Sequence, residues 1–159
     1  MDACREPWDL FSPEFQRAVE RFARPAPGTV MEGEDGYLWT YSIPNLAFLG
    51  NHYPIVRIAG GAYLIRGEID SSDRGAIIIS ATGRIQAIGL LTDQAPDESY
   101  RRDLDIFVRP GSQGQAWIPE VRKWAAGELA DWRRWSKRNQ LPAKPRPLRR
   151  ARVHFVAGG

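Results

Sequence analysis

The chain has 159 residues, 43% hydrophobic and 26% charged, a balance typical of a globular domain and not of a disordered chain. No apolar run approaches the roughly 20 residues of a membrane-spanning helix, and the first residues lack the apolar segment of a signal peptide. A single cysteine, Cys4, excludes an internal disulfide and a cysteine-based zinc site. We therefore expect one cytoplasmic α+β domain over residues 1–140. A basic, proline-rich arm over residues 141–159 follows it and ends in an edge strand.

Charge is distributed unevenly along the chain, although the net charge is only +3. Residues 1–116 contain 11 Lys and Arg against 16 Asp and Glu, a net charge of −5. Residues 117–159 contain 11 basic and 3 acidic side chains, a net charge of +8. Such a separation bears on partners and solubility but carries no information about the fold.

The first predicted helix has a clear beginning and end. Ser12 is a favourable N-cap, Pro13 is tolerated in the first turn, and Pro25 ends the helix. The apolar residues at helical spacing are Phe15, Val19 and Phe22. They predict one buried face.

From residue 37 to 109, short apolar runs separated by turn residues predict a mostly antiparallel meander. Tyr37–Ile43 is the first expected strand, and Leu46–Leu49 is a short second one. Gly60-Gly61 and Thr82-Gly83 can adopt positive φ angles, so each is expected to close a hairpin. The strands that flank these two turns are Ile55–Ala59 with Ala62–Ile69, and Ala76–Ala81 with Arg84–Leu91.

Two later strands differ in their expected burial. Ile77, Ile78 and Ile79 are consecutive, which indicates a central strand covered on both faces. The apolar positions of the other strand are Leu104, Ile106 and Val108, and they alternate with Asp103, Asp105 and Phe107. This alternation predicts a half-exposed strand, and residues 93–102 before it are expected to form a surface loop.

A long helix is predicted from about Pro119 to Asn139. One side of it is apolar and falls within about 80° on a helical wheel, with Trp117, Val121, Trp124, Trp132 and Trp135. Glu128 lies in the middle of that side, where burial without a partner costs several kcal/mol (roughly 2–7). Either Glu128 reaches an arginine or a backbone donor beneath the sheet, or the tryptophan stripe is partly exposed as a recognition surface. The overall expectation is a sheet of about five to seven strands, flat, curved or closed, with both helices packed on it.

No motif for phosphate-loop, dinucleotide, nucleophile-elbow or zinc-helix chemistry is present, so we expect no enzyme, cofactor or metal. The two histidines, His52 and His154, are far apart in sequence, and each favours a structural role. Glu68 and Asp70 share one face of a strand with Arg66, which indicates a solvated, salt-bridged strand end rather than a paired-carboxylate site.

The leading functional hypothesis is a non-enzymatic protein-binding domain, of the type of a bacterial immunity or antitoxin protein. Its partner would be a basic toxin or nuclease, because complementary charge speeds encounter. The acidic residues expected to bind that partner are Glu32, Glu34, Asp35, Asp93, Asp97 and Glu98.

Two alternatives remain open. One is a small-molecule or enzymatic pocket between the sheet and the tryptophan helix, with Tyr41, His52, Glu68, Asp70 and Glu128 as candidates. The other is nucleic-acid binding through Arg122, Lys123, Arg133, Arg134, Lys137, Arg149, Arg150 and Arg152. The second is disfavoured because the helix places its tryptophans and its basic residues on opposite sides.

Overall fold

The computed structural model describes residues 12–24, 42–46, 53–69, 73–93, 102–140, 148 and 150–156. These residues form an α+β fold in which an open, six-stranded, mostly antiparallel sheet has a helix on each face. The predicted fold class is therefore confirmed. None of the helices within the described ranges is long and apolar enough to cross a membrane.

Helix α1 (Pro13–Phe22) begins as its sequence predicts. The Ser12 hydroxyl accepts a hydrogen bond from the Phe15 backbone amide at 3.1 Å, which satisfies one of the free N–H groups of the first turn. Val19 and Phe22 are buried and place α1 against one face of the sheet.

The strands follow one another in the order in which they occur in the chain. They are β1 (Val56–Arg57), β2 (Tyr63–Glu68), β3 (Arg74–Ile79), β4 (Ile85–Asp93), β5 (Arg102–Val108) and β6 (Arg150–Phe155). Neighbours from β1 to β5 are antiparallel, whereas β6 pairs with β5 in parallel. Both predicted hairpins are confirmed, with positive φ angles at Gly60, Gly61 and Gly83. The predicted edge strand at the C-terminal end is β6.

Helix α2 (Ile118–Arg138) follows β5 and precedes β6 in the chain. It supplies the long connection that a parallel pair of strands requires. A one-turn helix, Ser112–Gln115, precedes it. Gly89 of β4 lies directly beneath α2. A Cβ there would lie 2.6 Å from a Val121 methyl carbon and 2.9 Å from the Trp124 ring, so glycine lets the helix approach the strand.

The two faces of the sheet carry separate cores. On the first face, α1 and a helical turn at Ile43–Asn45 cover residues that include Ile65, Ile77 and Ile88. On the second face, α2 covers residues that include Ile78 and Leu104. The prediction that β3 is central and buried on both faces is confirmed.

Three predicted strands do not have the expected character. Ile43 and Leu46 belong to a helical turn rather than to strands, because both are fully buried three positions apart and Pro44 suits a first helical turn. The remaining residues of those predicted strands, 37–41 and 47–49, lie outside the described residues. Strand β5 is buried along its whole length instead of being half-exposed, since helices cover both faces and β6 covers its edge.

Candidate functional site

A cleft of about 560 Å³ lies between the C-terminal half of α2 and the second face of the sheet. We call it the α2 cleft. Its sheet side is formed by Arg66, Glu68, Arg74 and Arg102, and Tyr53 lies beside them. Its helix side is formed by Glu128, Asp131, Trp132, Arg134, Trp135 and Arg138. The buried apolar residues of α2 (Val121, Trp124 and Ala125) are confined to its N-terminal half, so polar and aromatic side chains meet in the other half.

Glu128 has the partner that its position on the tryptophan stripe requires. Its Oε1 atom accepts a hydrogen bond from Trp124 Nε1 at 3.1 Å and lies 3.5 Å from Arg66 Nη1. The Glu128 side chain is 11% exposed, and the ion pair lets it lie beside the buried Trp124 ring. The prediction that Glu128 reaches an arginine beneath the sheet is confirmed. The stripe is also partly exposed, because 48% of Trp135 is accessible.

Glu68 belongs to a salt-bridged strand end, as predicted, although its partner is Arg74 rather than Arg66. Arg74 Nη2 lies 3.0 Å from Glu68 Oε1, and the β2–β3 register places the two residues opposite each other. The Tyr53 hydroxyl donates to the same oxygen at 3.5 Å. Burial, followed by the negative charge of Glu68, raises the pKa of Tyr53, so Tyr53 remains a neutral donor at neutral pH.

Arginines and aromatic rings contact one another throughout the cleft. The Arg66 guanidinium lies 5.3 Å from the Tyr53 ring centre, and that of Arg102 lies 5.5 Å from the Trp132 ring. The buried Nε of Arg66 has no hydrogen-bond partner among the described residues. Arg138 forms no ion pair with another described residue. The exposed guanidinium of Arg138 is therefore available to a ligand.

The charge of the cleft favours an anion. Five arginines and three carboxylates line the cleft, so positive side chains outnumber negative ones in the lining. Arginine presents a planar fork of donors that matches the oxygens of carboxylates and phosphates. Tryptophan rings accept a planar group by stacking. The lining is therefore suited to a ligand that combines an acidic group with an aromatic ring.

The structure brings together some of the predicted pocket residues. Glu68 and Glu128 line the cleft, whereas Tyr41, His52 and Asp70 lie outside the described residues. The expectation that basic and tryptophan residues of the long helix lie on opposite sides was wrong for Arg134, which lines the cleft with Trp132 and Trp135. Arg66 was predicted only as a neighbour of Glu68 on its strand, and Arg74 and Arg102 were missed, because the three arginines come from three different strands.

Most of the predicted acidic surface is not part of the described structure. Glu32, Glu34, Asp35, Asp97 and Glu98 lie outside the described residues, as does the basic candidate Arg149. Asp93 is the last residue of β4. The described basic candidates of α2 outside the cleft are exposed, namely Arg122, Lys123, Arg133 and Lys137.

A second polar cluster lies on the other face of the sheet, where β5 meets β6. Asp105 is fully buried, and Arg152 donates to both of its oxygens at 2.6 and 2.7 Å. His154 Nε2 lies 2.7 Å from Asp105 Oδ1, and its ring stacks on Phe107. Burial raises the pKa of Asp105, but the hydrogen bonds from His154 and Arg152 outweigh it and hold that pKa below its ordinary value.

This cluster holds β6 against β5. The carboxylate of Asp103, also fully buried, lies 3.4 Å from Arg150 Nη2 in the same pair of strands. The predicted basic residues Arg150 and Arg152 are thus bound to buried carboxylates instead of forming a surface with α2. In the described ranges, no three His, Cys, Asp or Glu side chains are grouped to hold a metal ion.

Comparison with known proteins provides no further guide to function. No protein family, curated protein or solved structure matched this chain. A function for this domain must therefore be inferred from the geometry and charge of the α2 cleft.

Proposed function

We propose that this domain is a non-enzymatic binding module that holds a phosphate-bearing aromatic ligand, such as a nucleotide, in the α2 cleft. The observation that supports it is the convergence of five arginines with Trp132 and Trp135 in one open cleft. A volume of about 560 Å³ lies within the range of small-molecule sites, about 300–1,000 Å³. Phosphate oxygens suit the guanidinium forks, and a base suits the tryptophan faces.

The arrangement of the carboxylates favours binding over catalysis. Glu68 is held by Arg74, Glu128 by Arg66, and Asp131 by Arg134. A general acid or base must have an oxygen within hydrogen-bond reach of the proton that it transfers. In this cleft each of the three carboxylates is paired with an arginine.

Titration of the protein with adenosine monophosphate, followed by tryptophan fluorescence and calorimetry, tests this proposal. We expect saturable quenching, and weaker binding by both inorganic phosphate and adenosine, because each supplies only half of the ligand. Removal of one stacking ring costs about 1–3 kcal/mol, so Trp135→Ala is expected to weaken binding about 5- to 150-fold.

A matched control separates the cleft from the general charge of the helix. Arg138→Ala removes a cation that lines the cleft, whereas Arg122→Ala removes an exposed cation near the other end of α2. We expect only the first to weaken nucleotide binding. Absence of binding by adenosine and thymidine monophosphates, or equal affinities of the two variants, would count against the proposal.

The interpretation as an immunity- or antitoxin-type inhibitor stays a prediction. The half-exposed Trp135 would suit an interface hot spot, but the arginines beside it do not complement a basic partner. That interpretation expects a stable complex with a basic protein. Affinity capture from the native host that returns no stable protein partner would contradict it.

A further inference from the structure

We infer that the natural ligand of the α2 cleft is a single-stranded nucleic acid, whose chain leaves the cleft across Arg133 and Lys137. This inference rests on the proposed function and names its ligand class. The observation behind it is that Arg134 and Arg138, which line the cleft, are adjacent on α2 to Arg133 and Lys137, which are exposed outside the cleft.

The continuity follows from the geometry of the helix. At 3.6 residues per turn, Arg138, Arg134, Lys137 and Arg133 succeed one another around the axis of α2 in steps of roughly 40–60°. The first two line the cleft, and the last two face solvent outside it. All four lie within six positions, which is about 8 Å along the axis. A chain that passes over this part of α2 therefore meets successive cations.

The outer cations are available to a ligand. Arg133 and Lys137 are exposed, and neither forms an ion pair with another described residue. A mononucleotide held by the cleft arginines has no phosphate to place there. A strand has one phosphate per nucleotide, so it engages the cleft and the outer cations together.

The aromatic residues favour a single strand over a duplex. Trp135 is half-exposed at the mouth of the cleft, and Trp132 is held beside Arg102. A base stacks on such rings only when it is unpaired and accessible, and alternation of cations with stacking rings is typical of sites that bind single strands. In a duplex both faces of each base are already stacked.

The test uses fluorescence anisotropy with a labelled oligothymidylate of about 12 nucleotides and calorimetry with thymidine monophosphate. We expect the strand to bind at least about tenfold more tightly than the monophosphate. Each phosphate contact on a single strand contributes about −0.7 to the slope of log affinity against log salt concentration. Arg133→Ala/Lys137→Ala should therefore make the slope shallower by about 1.4 and leave monophosphate affinity unchanged.

The matched control removes the same charge elsewhere. Arg57→Ala/Arg84→Ala takes two exposed arginines from β1 and from the β3–β4 turn, outside the cleft lining. We expect its salt slope for the strand to remain within about 0.3 of the wild-type slope, well below the roughly 0.7 of one contact. Circular dichroism and melting temperature verify that both double variants are folded.

The outcomes distinguish the inference from the proposed function. If the monophosphate binds but the strand binds no more tightly, the inference is overturned and the proposed function stands. If neither binds, the proposed function fails as well. Equal affinity for a duplex of the same length, or for polyglutamate of matched charge, would also overturn the inference and would indicate a general polyanion site or an acidic protein partner.

Discussion

Replacement of Asp105 by asparagine removes a fully buried charge and almost no volume. In the wild type, Arg152 binds both carboxylate oxygens at 2.6 and 2.7 Å, and His154 lies 2.7 Å from one of them. The variant takes this carboxylate away from the Arg152 side chain, which is only 17% exposed. Removal of one partner of a buried ion pair costs about 3–5 kcal/mol. Because Arg152 retains some contact with water, we expect a loss near the lower figure, about 3 kcal/mol.

The effect is expected to depend on pH with a definite sign. The pKa of Asp105 is lowered in the folded state, so its contribution to stability is fully present above the unfolded value, near 3.9. That contribution disappears as the pH falls through the lower, folded pKa. The difference in unfolding free energy between wild type and Asp105→Asn should therefore narrow as the pH falls below about 4.

Urea unfolding followed by tryptophan fluorescence measures this difference, since urea leaves ion pairs unscreened by added salt. Asp131→Asn is the matched control, because the Asp131–Arg134 pair on α2 is solvent-exposed and should contribute about 0–1 kcal/mol. A loss below about 1 kcal/mol for Asp105→Asn at neutral pH, or a difference that does not narrow in acid, would refute the reasoning.

Three further substitutions test local features of the fold, each by urea unfolding. Gly89→Ala places a Cβ within 3 Å of Val121 and Trp124 and should destabilise by about 1–3 kcal/mol; an unchanged free energy of unfolding would mean that α2 yields at this contact. Ser12→Ala removes the cap of α1 and should cost about 1 kcal/mol; Ser12→Thr, which keeps a hydroxyl, should restore most of it. Gly83→Ala puts a side chain at φ 79° and should cost about 1 kcal/mol; a gain in stability would contradict the strained turn.

Local signals in the sequence predicted the elements whose causes are themselves local. The N-cap at Ser12 and the glycines of the two hairpins act within a few residues, so helix α1 and the β1–β2 and β3–β4 turns could be located in advance. Strand β5 could not be interpreted in this way. Its alternating aspartates predicted a solvent-exposed face, but the partners that bury them lie 47 residues or more further along the chain, on β6.

The sequence pointed to the candidate site mainly through one residue, Glu128, a carboxylate on the apolar side of α2. A carboxylate on a tryptophan stripe needs a partner, which predicted a cation near Glu128. In the structure that cation is Arg66, 62 residues away in sequence. The other sheet arginines gave no comparable signal, because a single arginine on a strand is usually solvated. Only strand pairing shows that Arg74 and Arg102 share a face with Arg66.

Charge balance distinguishes the two polar clusters that flank the sheet. On the first face, buried Asp103 and Asp105 meet Arg150 and Arg152, so each carboxylate has its own arginine and the charges cancel. These pairs hold β6 alongside β5. On the second face, the α2 cleft has more arginines than carboxylates, an exposed tryptophan and a buried Nε with no partner among the described residues. The β5–β6 cluster therefore accounts for structural stability, and the α2 cleft is the surface for which we propose recognition.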